Sequence, residues 1–383
     1  MNKQEFRESV LAAYGVSTSE REELLAYNEN VFDHNSLTLA VKFPLDPEPH
    51  VTAWQQYVAV ARVIGAFESL KQRLVQLQFP IREGISQTSA YQSATRKGVL
   101  VDDMVEATGL VLKRPEQLQL MVHESLAGAI PVLIAGNRED FVSLVQALTM
   151  RNEPKLVPDS MGACIVAGFN NWDRVRQYRK KWEAEHPGDC SETSWAVEFR
   201  QIIPRKELYQ DRFIILSDGP YSAVSAIDIG LKEPEWRHIS LKIRLEHECT
   251  HYFTRRVFGS MRNNLLDELI ADYRGIVAGC GRYRADWFLR FLGLEAFPDY
   301  REGGRLQNYR GQPPLSEGAF QVLKGLVKAA GENLERFDAA NLDKLRQPDA
   351  QALMLMALTR LTLEELASPK AELLIQTALG HKV

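Results

Sequence analysis

Residues 239–258 read ISLKIRLEHECTHYFTRRVF, twenty positions without a proline or glycine, and Gly259 follows. The spacing predicts a helix with Ser240 as N-cap and Gly259 as the left-handed residue that ends it. Leu245, Cys249, Tyr252, Phe253 and Arg256 fall on one mostly apolar side, and Arg244, His247, Glu248, His251 and Arg255 form a polar stripe on the other. A largely buried helix with one ionisable stripe is the wall of a cleft. His247 and His251 stand four residues apart on one face, close enough for both rings to reach one cation at roughly 2 Å. Glu248 points about 100° round from His247, where a general base must sit to take a proton from an activated water. The plainer alternative is two histidines bonded to neighbours and Glu248 in a surface pair.

Downstream, residues 264–275 read NLLDELIADYRG. They predict a second helix from an Asn264 cap to about Ala278, before Gly279. Glu268 and Asp272 again share a face. The first can ligate a cation, and the second can accept the free N–H of a ligating imidazole and fix its tautomer. The competing reading has Asp267 and Glu268 complementing the helix N-terminus, with Asp272 solvated.

With both helices quoted, the chain resembles the gluzincin zinc metallopeptidases, in which a helix carrying HExxH precedes one carrying a Glu ligand and, four residues later, an acidic residue. Thermolysin-like members add a glycine seven residues after that Glu, the place of Gly275. The resemblance implies His247, His251 and Glu268 as ligands of Zn2+, Glu248 as general base and Asp272 as the residue orienting an imidazole. It covers about thirty positions. Sixteen residues separate His251 from Glu268, fewer than gluzincins usually have, so the connection Thr254 to Asn263 is expected to be tight. Arg244 and Cys249 are unusual fillers; Cys249 beside Glu248 points away from the two histidines.

At 383 residues with 45% hydrophobic content the chain can bury more than one core, and a net charge of −4 gives no overall attraction to nucleic acid or anionic membrane. Cys164, Cys190, Cys249 and Cys280 form no CxxC pair, so neither a disulfide framework nor a cysteine zinc site is expected. The N-terminus lacks an apolar signal core, and no run of eighteen apolar residues occurs; a cytoplasmic location is the expectation.

The fold class expected is α+β: a helix-rich N-terminal region (1–100), a mixed α/β region (101–205), and a zincin-like sheet with the two metal-binding helices and a helical C-terminal part (206–383). A capping box is read at Ser19 and Glu22, a long amphipathic helix from Thr52 to Gln78, and a loop or irregular strand from Glu83 to Lys97. In the middle, apolar runs at Pro131–Ala135, Cys164–Phe169 and Trp195–Ile203 alternate with helices at Arg138–Met150 and Asp173–Glu185. Gly136-Asn137-Arg138 faintly suggests an anion site. Arg174, Arg176, Arg179, Lys180 and Lys181 with Trp172, Tyr178 and Trp182 read as a solvated helix face rather than a polyanion track. Phe213–Ser217 and Tyr221–Ile227 suggest a hairpin, the second strand being the edge on which an extended substrate would pair. Later helices are read at Tyr283–Leu292, Ser316–Ala330, Ala350–Thr359 and Pro369–Ala378. The segment Phe297–Pro314 is expected to cover the cleft, with His238, Tyr252, Tyr273, Tyr283 and Tyr309 among the possible oxyanion donors.

Zinc-dependent hydrolysis of a peptide bond is the function these readings favour. Hydrolysis of a non-peptide amide or small metabolite, or an interaction protein with a structural metal, are the alternatives. The partner expected is a peptide or small-molecule amide, with no nucleic acid and no membrane.

Overall fold

The computed structural model describes residues 2–36, 41–260 and 264–380. The class is α+β: helices alternate with one four-stranded sheet. Two compact units are formed, one from Asp46–Gly219 and one from Met1–Leu45 together with Pro220–Val383. These boundaries differ from the three regions read from sequence, for two physical reasons. The N-terminal helices are tied to the far end of the chain, where buried Arg7 meets buried Glu364 at 3.2 Å and Asn28 donates to the same carboxylate. Residues 210–217, which the sequence division placed with the metal helices, pair instead with strands of the middle region.

In the unit Asp46–Gly219, strands β1 (Gln119–Ser125), β2 (Gly128–Ala135), β3 (Ala163–Asn170) and β4 (Gln210–Ser217) assemble in the order β1-β2-β4-β3. β1 and β2 form an antiparallel hairpin, β2 and β4 are parallel, and β4 and β3 are antiparallel. Every residue of β2 is buried, so it reads as a continuous apolar run rather than an alternation. Pro131 lacks an N–H, and the β2–β4 register begins one residue later, at Val132 opposite Ile214. Trp54, Tyr57, Leu133, Phe141 and Phe213 fill the core.

Several local readings are corrected. The amphipathic run after Thr52 breaks at Gly65, whose φ of 89° suits glycine, into helices Val51–Ile64 and Ala66–Lys71 and a 3-10 turn. The stretch expected to be a loop contains helix Ser89–Lys97, capped by Thr88. The run around Trp195 is helical (Glu192–Ile202), with Ser191 as its cap. The N-terminal capping box lies at Ser17 and Glu20, two residues earlier than read.

The hairpin before the metal helix does not form. All described strands lie in the unit Asp46–Gly219, so the expected zincin-like sheet and its edge at Tyr221–Ile227 are absent among the described residues. Ser222 and Ala223 turn left-handed at φ 52° and 55°, and Ser225 caps a short helix, Ala226–Ile229. Both features break extension within the residues expected to form the second strand.

Candidate metal centre

The histidine helix runs from Glu233 to Phe258, longer than read, with Pro234 in its first turn and Gly259 ending it at φ 65°. Ser240 is therefore interior, and its hydroxyl accepts the Tyr221 N–H at 3.1 Å instead of capping. The acidic helix spans Leu265–Cys280; Asn264 accepts the Asp267 N–H, and Gly281 rather than Gly279 ends it. Residues 261–263, part of the expected tight connection, lie outside the described residues.

Glycine lets these two helices meet. A Cβ on Gly275 would lie 2.7 Å from the Ile243 carbonyl oxygen, and one on Gly279 would lie 2.8 Å from the Ile243 side chain. Ile239, Ile243, His247 and His251 occupy successive turns of one face, and Gly279, Gly275, Asp272 and Glu268 answer them in reverse order. The pair is antiparallel, and the close approach at the glycines brings the carboxylates to the rings.

His247, His251 and Glu268 converge, all buried, within metal-binding distance. Their facing atoms are 3.1 Å apart from His247 Nε2 to His251 Nε2, 3.5 Å from His247 Nε2 to Glu268 Oε2, and 3.5 Å from His251 Nε2 to Glu268 Oε1. On the far side of each ring stands another carboxylate. His247 Nδ1 donates to Asp272 Oδ1 at 2.9 Å, and His251 Nδ1 faces Asp267 Oδ2 at 3.2 Å. With both Nδ1 positions turned to carboxylates, two Nε2 lone pairs and a carboxylate aim at one point.

Around this point lies a shell of buried Tyr221 and half-buried Arg305 and Tyr309. The Tyr221 hydroxyl sits 2.9 Å from His247 Nδ1, donates to Asp272 Oδ1 at 2.6 Å, and accepts from Arg305 Nη1 at 2.7 Å. Arg305 also pairs closely with Asp272 through Nη2, which lies 3.8 Å from Glu268. The Tyr309 hydroxyl faces Glu268; burial first, then that carboxylate, push its pKa up. Burial opposes ionising Glu268, but the adjacent His251 ring, then the charges of His247 and Arg305, hold it well below the usual carboxylate range. Burial likewise opposes a charged His251, yet Asp267 and then Glu268 outweigh it and raise its pKa well above the ordinary imidazole value. Three carboxylates, Asp267, Glu268 and Asp272, thus surround the rings with Arg305 as the guanidinium among them. The cluster demands added positive charge, from protons or from a cation.

His247, His251, Glu268 and Asp272 are brought together in the arrangement read from sequence. Glu248 is half-buried and takes no hydrogen bond or ion pair among the described residues. Cys249 is buried and stands outside the cluster. Of the expected donors only Tyr309 is at the cluster: Tyr273 donates to Asp338 at 2.8 Å, Tyr283 and Tyr252 are in the core, and His238 is exposed. Arg305, like Tyr309, belongs to the Phe297–Pro314 segment expected to cover the cleft, whereas the sequence assigns Asp267 and Tyr221 no place at the metal. Asp267 could have been found from its place beside Glu268, but Tyr221 and Arg305 come from irregular segments with no periodic signal.

The other sequence candidates are used internally. Asn137 caps helix Arg138–Thr149, and Arg138 donates to the carbonyls of Met161, Val157 and Pro158. Within the basic aromatic stretch, Arg174 is buried on Asp211, and Arg179 pairs with Glu183 and Glu192. The four cysteines form no disulfide among the described residues, and no helix among them is long and apolar enough to cross a membrane.

Fold and cluster together define an α+β protein with a two-helix His/His/Glu centre. The chain belongs to DUF7005, a family of unknown function, whose profile matches residues 9–370. No curated protein and no solved structure matches it.

Proposed function

We propose that this protein is a zinc-dependent hydrolase acting on peptide bonds, with a gluzincin-type centre. One observation carries the reading: the spacing of the three facing groups. A tetrahedral ion with arms of roughly 2.0–2.1 Å sets its donors roughly 3.3–3.4 Å apart; His247 Nε2 and His251 Nε2 stand 3.1 Å apart, and the two oxygens of the Glu268 carboxylate lie 3.5 Å from one ring each, Oε2 from His247 and Oε1 from His251. As hydrogen bonds the two longer ones are at or beyond the useful limit, whereas as edges around a shared cation they fit. The backing of each ring by a carboxylate, Asp272 for His247 and Asp267 for His251, supports the same assignment.

In this reading His247, His251 and Glu268 hold the ion, which would supply Lewis acidity toward a carbonyl and a water. Glu248, unpaired and half-buried on the same helix, takes the water proton and delivers it to the leaving amine. Asp272 and Asp267 keep the Nδ1 protons in place, so both Nε2 lone pairs stay available. Tyr221 and Arg305 fix Asp272 in turn.

Glu248→Gln tests the assignment. It should retain the metal content of the wild type and lose about 10²- to 10⁴-fold in turnover of a quenched fluorescent peptide library. Undiminished turnover in that variant would refute Glu248 as the base.

A further inference from the structure

A second site lies in the other unit and rests on no property of the metal centre. Strand β3 forms one end of the sheet. Between its residues Ile165–Phe169 and the next described element beyond the sheet there is no backbone–backbone hydrogen bond, so its outer edge keeps free amide and carbonyl groups. That edge lines a cavity of about 570 Å³ together with Tyr91, Thr95 and Arg96 of helix Ser89–Lys97 and with Thr149 and Arg151. The volume is in the range of ligand pockets rather than packing voids.

The lining has a sign. Arg96 and Arg151 are its charged side chains; both are exposed, and neither enters a hydrogen bond or ion pair among the described residues. No carboxylate lines the cavity. The nearby acid Glu153 is occupied, accepting the Gly84 and Ser86 N–H groups at 2.9 Å each. Arg151 is presented by an unusual backbone: it and Asn152 are left-handed, at φ 57° and 59°. The Asn152 side chain holds that turn, donating to the carbonyls of Gln76 and Phe79 and accepting from Tyr91. Such a conformation persists where surroundings enforce it, often at binding sites. Gln76 also lines the cavity, and its buried Oε1 lacks a hydrogen-bond partner among the described residues. An acceptor of this kind suits a ligand that brings N–H groups.

We propose that this groove receives an extended acidic peptide, which adds to β3 as a fifth strand, with Arg96 and Arg151 neutralising its carboxylates. Backbone pairing supplies affinity and the two arginines supply selectivity. The bulge at Ala167/Phe169, with Gly168 at φ 73°, marks where the added ladder would stop.

The test uses the full chain carrying Glu248→Gln, so that no probe is cut, and fluorescence anisotropy of a labelled peptide of about eight residues alternating valine and glutamate. The acidic peptide should bind at least about tenfold more tightly than its valine–lysine counterpart. N-methylation of alternate backbone amides should cost at least about tenfold, since it removes strand donors without changing charge. The double variant Arg96→Glu, Arg151→Glu should reverse the preference, and because both side chains are exposed it should fold as the parent does, as its circular dichroism would show. Equal binding of acidic and basic peptides, or indifference to N-methylation, would overturn the proposal. Full displacement of the peptide by a single-stranded oligonucleotide at the same concentration would overturn it too, by assigning the arginines to a polyanion.

Discussion

Two buried charged networks in this molecule invite comparison. In the unit Asp46–Gly219, Asp211 is met by Arg174 at 2.7 Å, Asn171 at 2.6 Å and the Trp54 indole at 2.7 Å. Every contact there is a well-formed hydrogen bond, and the network closes on itself. At the histidine pair the outer contacts run from 2.6 Å, Tyr221 on Asp272, to 3.2 Å, His251 Nδ1 to Asp267 Oδ2, and the inner ones from 3.1 to 3.5 Å. A network that only braces a fold closes its central contacts at hydrogen-bond distance, whereas both rings here stand 3.5 Å from the Glu268 carboxylate. The difference is between a cluster closed by its own hydrogen bonds and one whose three facing groups lie within metal-binding distance of one another.

The comparison can be broken most severely at the closed network. Asp211→Ala strands the buried Arg174 guanidinium, and removal of one partner of such a pair should cost about 3–5 kcal/mol in denaturant melts. Metal content should stay at the wild-type level. Loss of metal together with stability would show that the two networks are not independent.

Next comes acidity. His50 adjoins the closed network, 3% exposed, and burial, with Arg174 and Arg212 acting the same way against Glu48, lowers its pKa to about 4. A histidine held neutral in the fold takes up its proton first in the unfolded chain. Its contribution is therefore complete above the unfolded value near 6.5 and is lost as pH falls from there toward 4, at about 1.4 kcal/mol per pH unit. Urea melts between pH 7 and 5 should show that slope, and His50→Leu should flatten it. An unchanged slope in the variant would place the titration elsewhere.

A subtler change sharpens the open network. Asp272→Asn keeps the shape but removes the charge that orients His247, and loss of such an outer partner should weaken metal binding about 10- to 100-fold. Competition with a chromophoric chelator would measure it. An affinity equal to that of the wild type would remove Asp272 from the site's working parts.

How much of this was legible in the chain follows from periodicity. The four-residue steps Ile239, Ile243, His247, His251 and the answering Glu268, Asp272, Gly275 are local patterns, so the two helices and their shared face could be read directly. Gly275, noted for its spacing, has a steric role in helix contact. Tyr221 and Arg305 could not be read, since they are 84 residues apart and both come from irregular turns. The strand expected at Tyr221–Ile227 failed because Ser222 and Ala223 turn left-handed and Ser225 caps a short helix, both set by contacts that a hairpin pattern does not reveal. The division into units was hidden for another reason. The ion pair Arg7–Glu364 spans 357 residues, a separation at which local pattern carries no information.

The most direct test of the metal centre is elemental analysis of the purified chain after dialysis against zinc, with His247→Ala and Glu268→Gln as controls. The account predicts one tightly held zinc per wild-type chain and loss of that ion in both variants. A wild-type chain that retains no zinc and whose melting temperature does not move when zinc is added would contradict it.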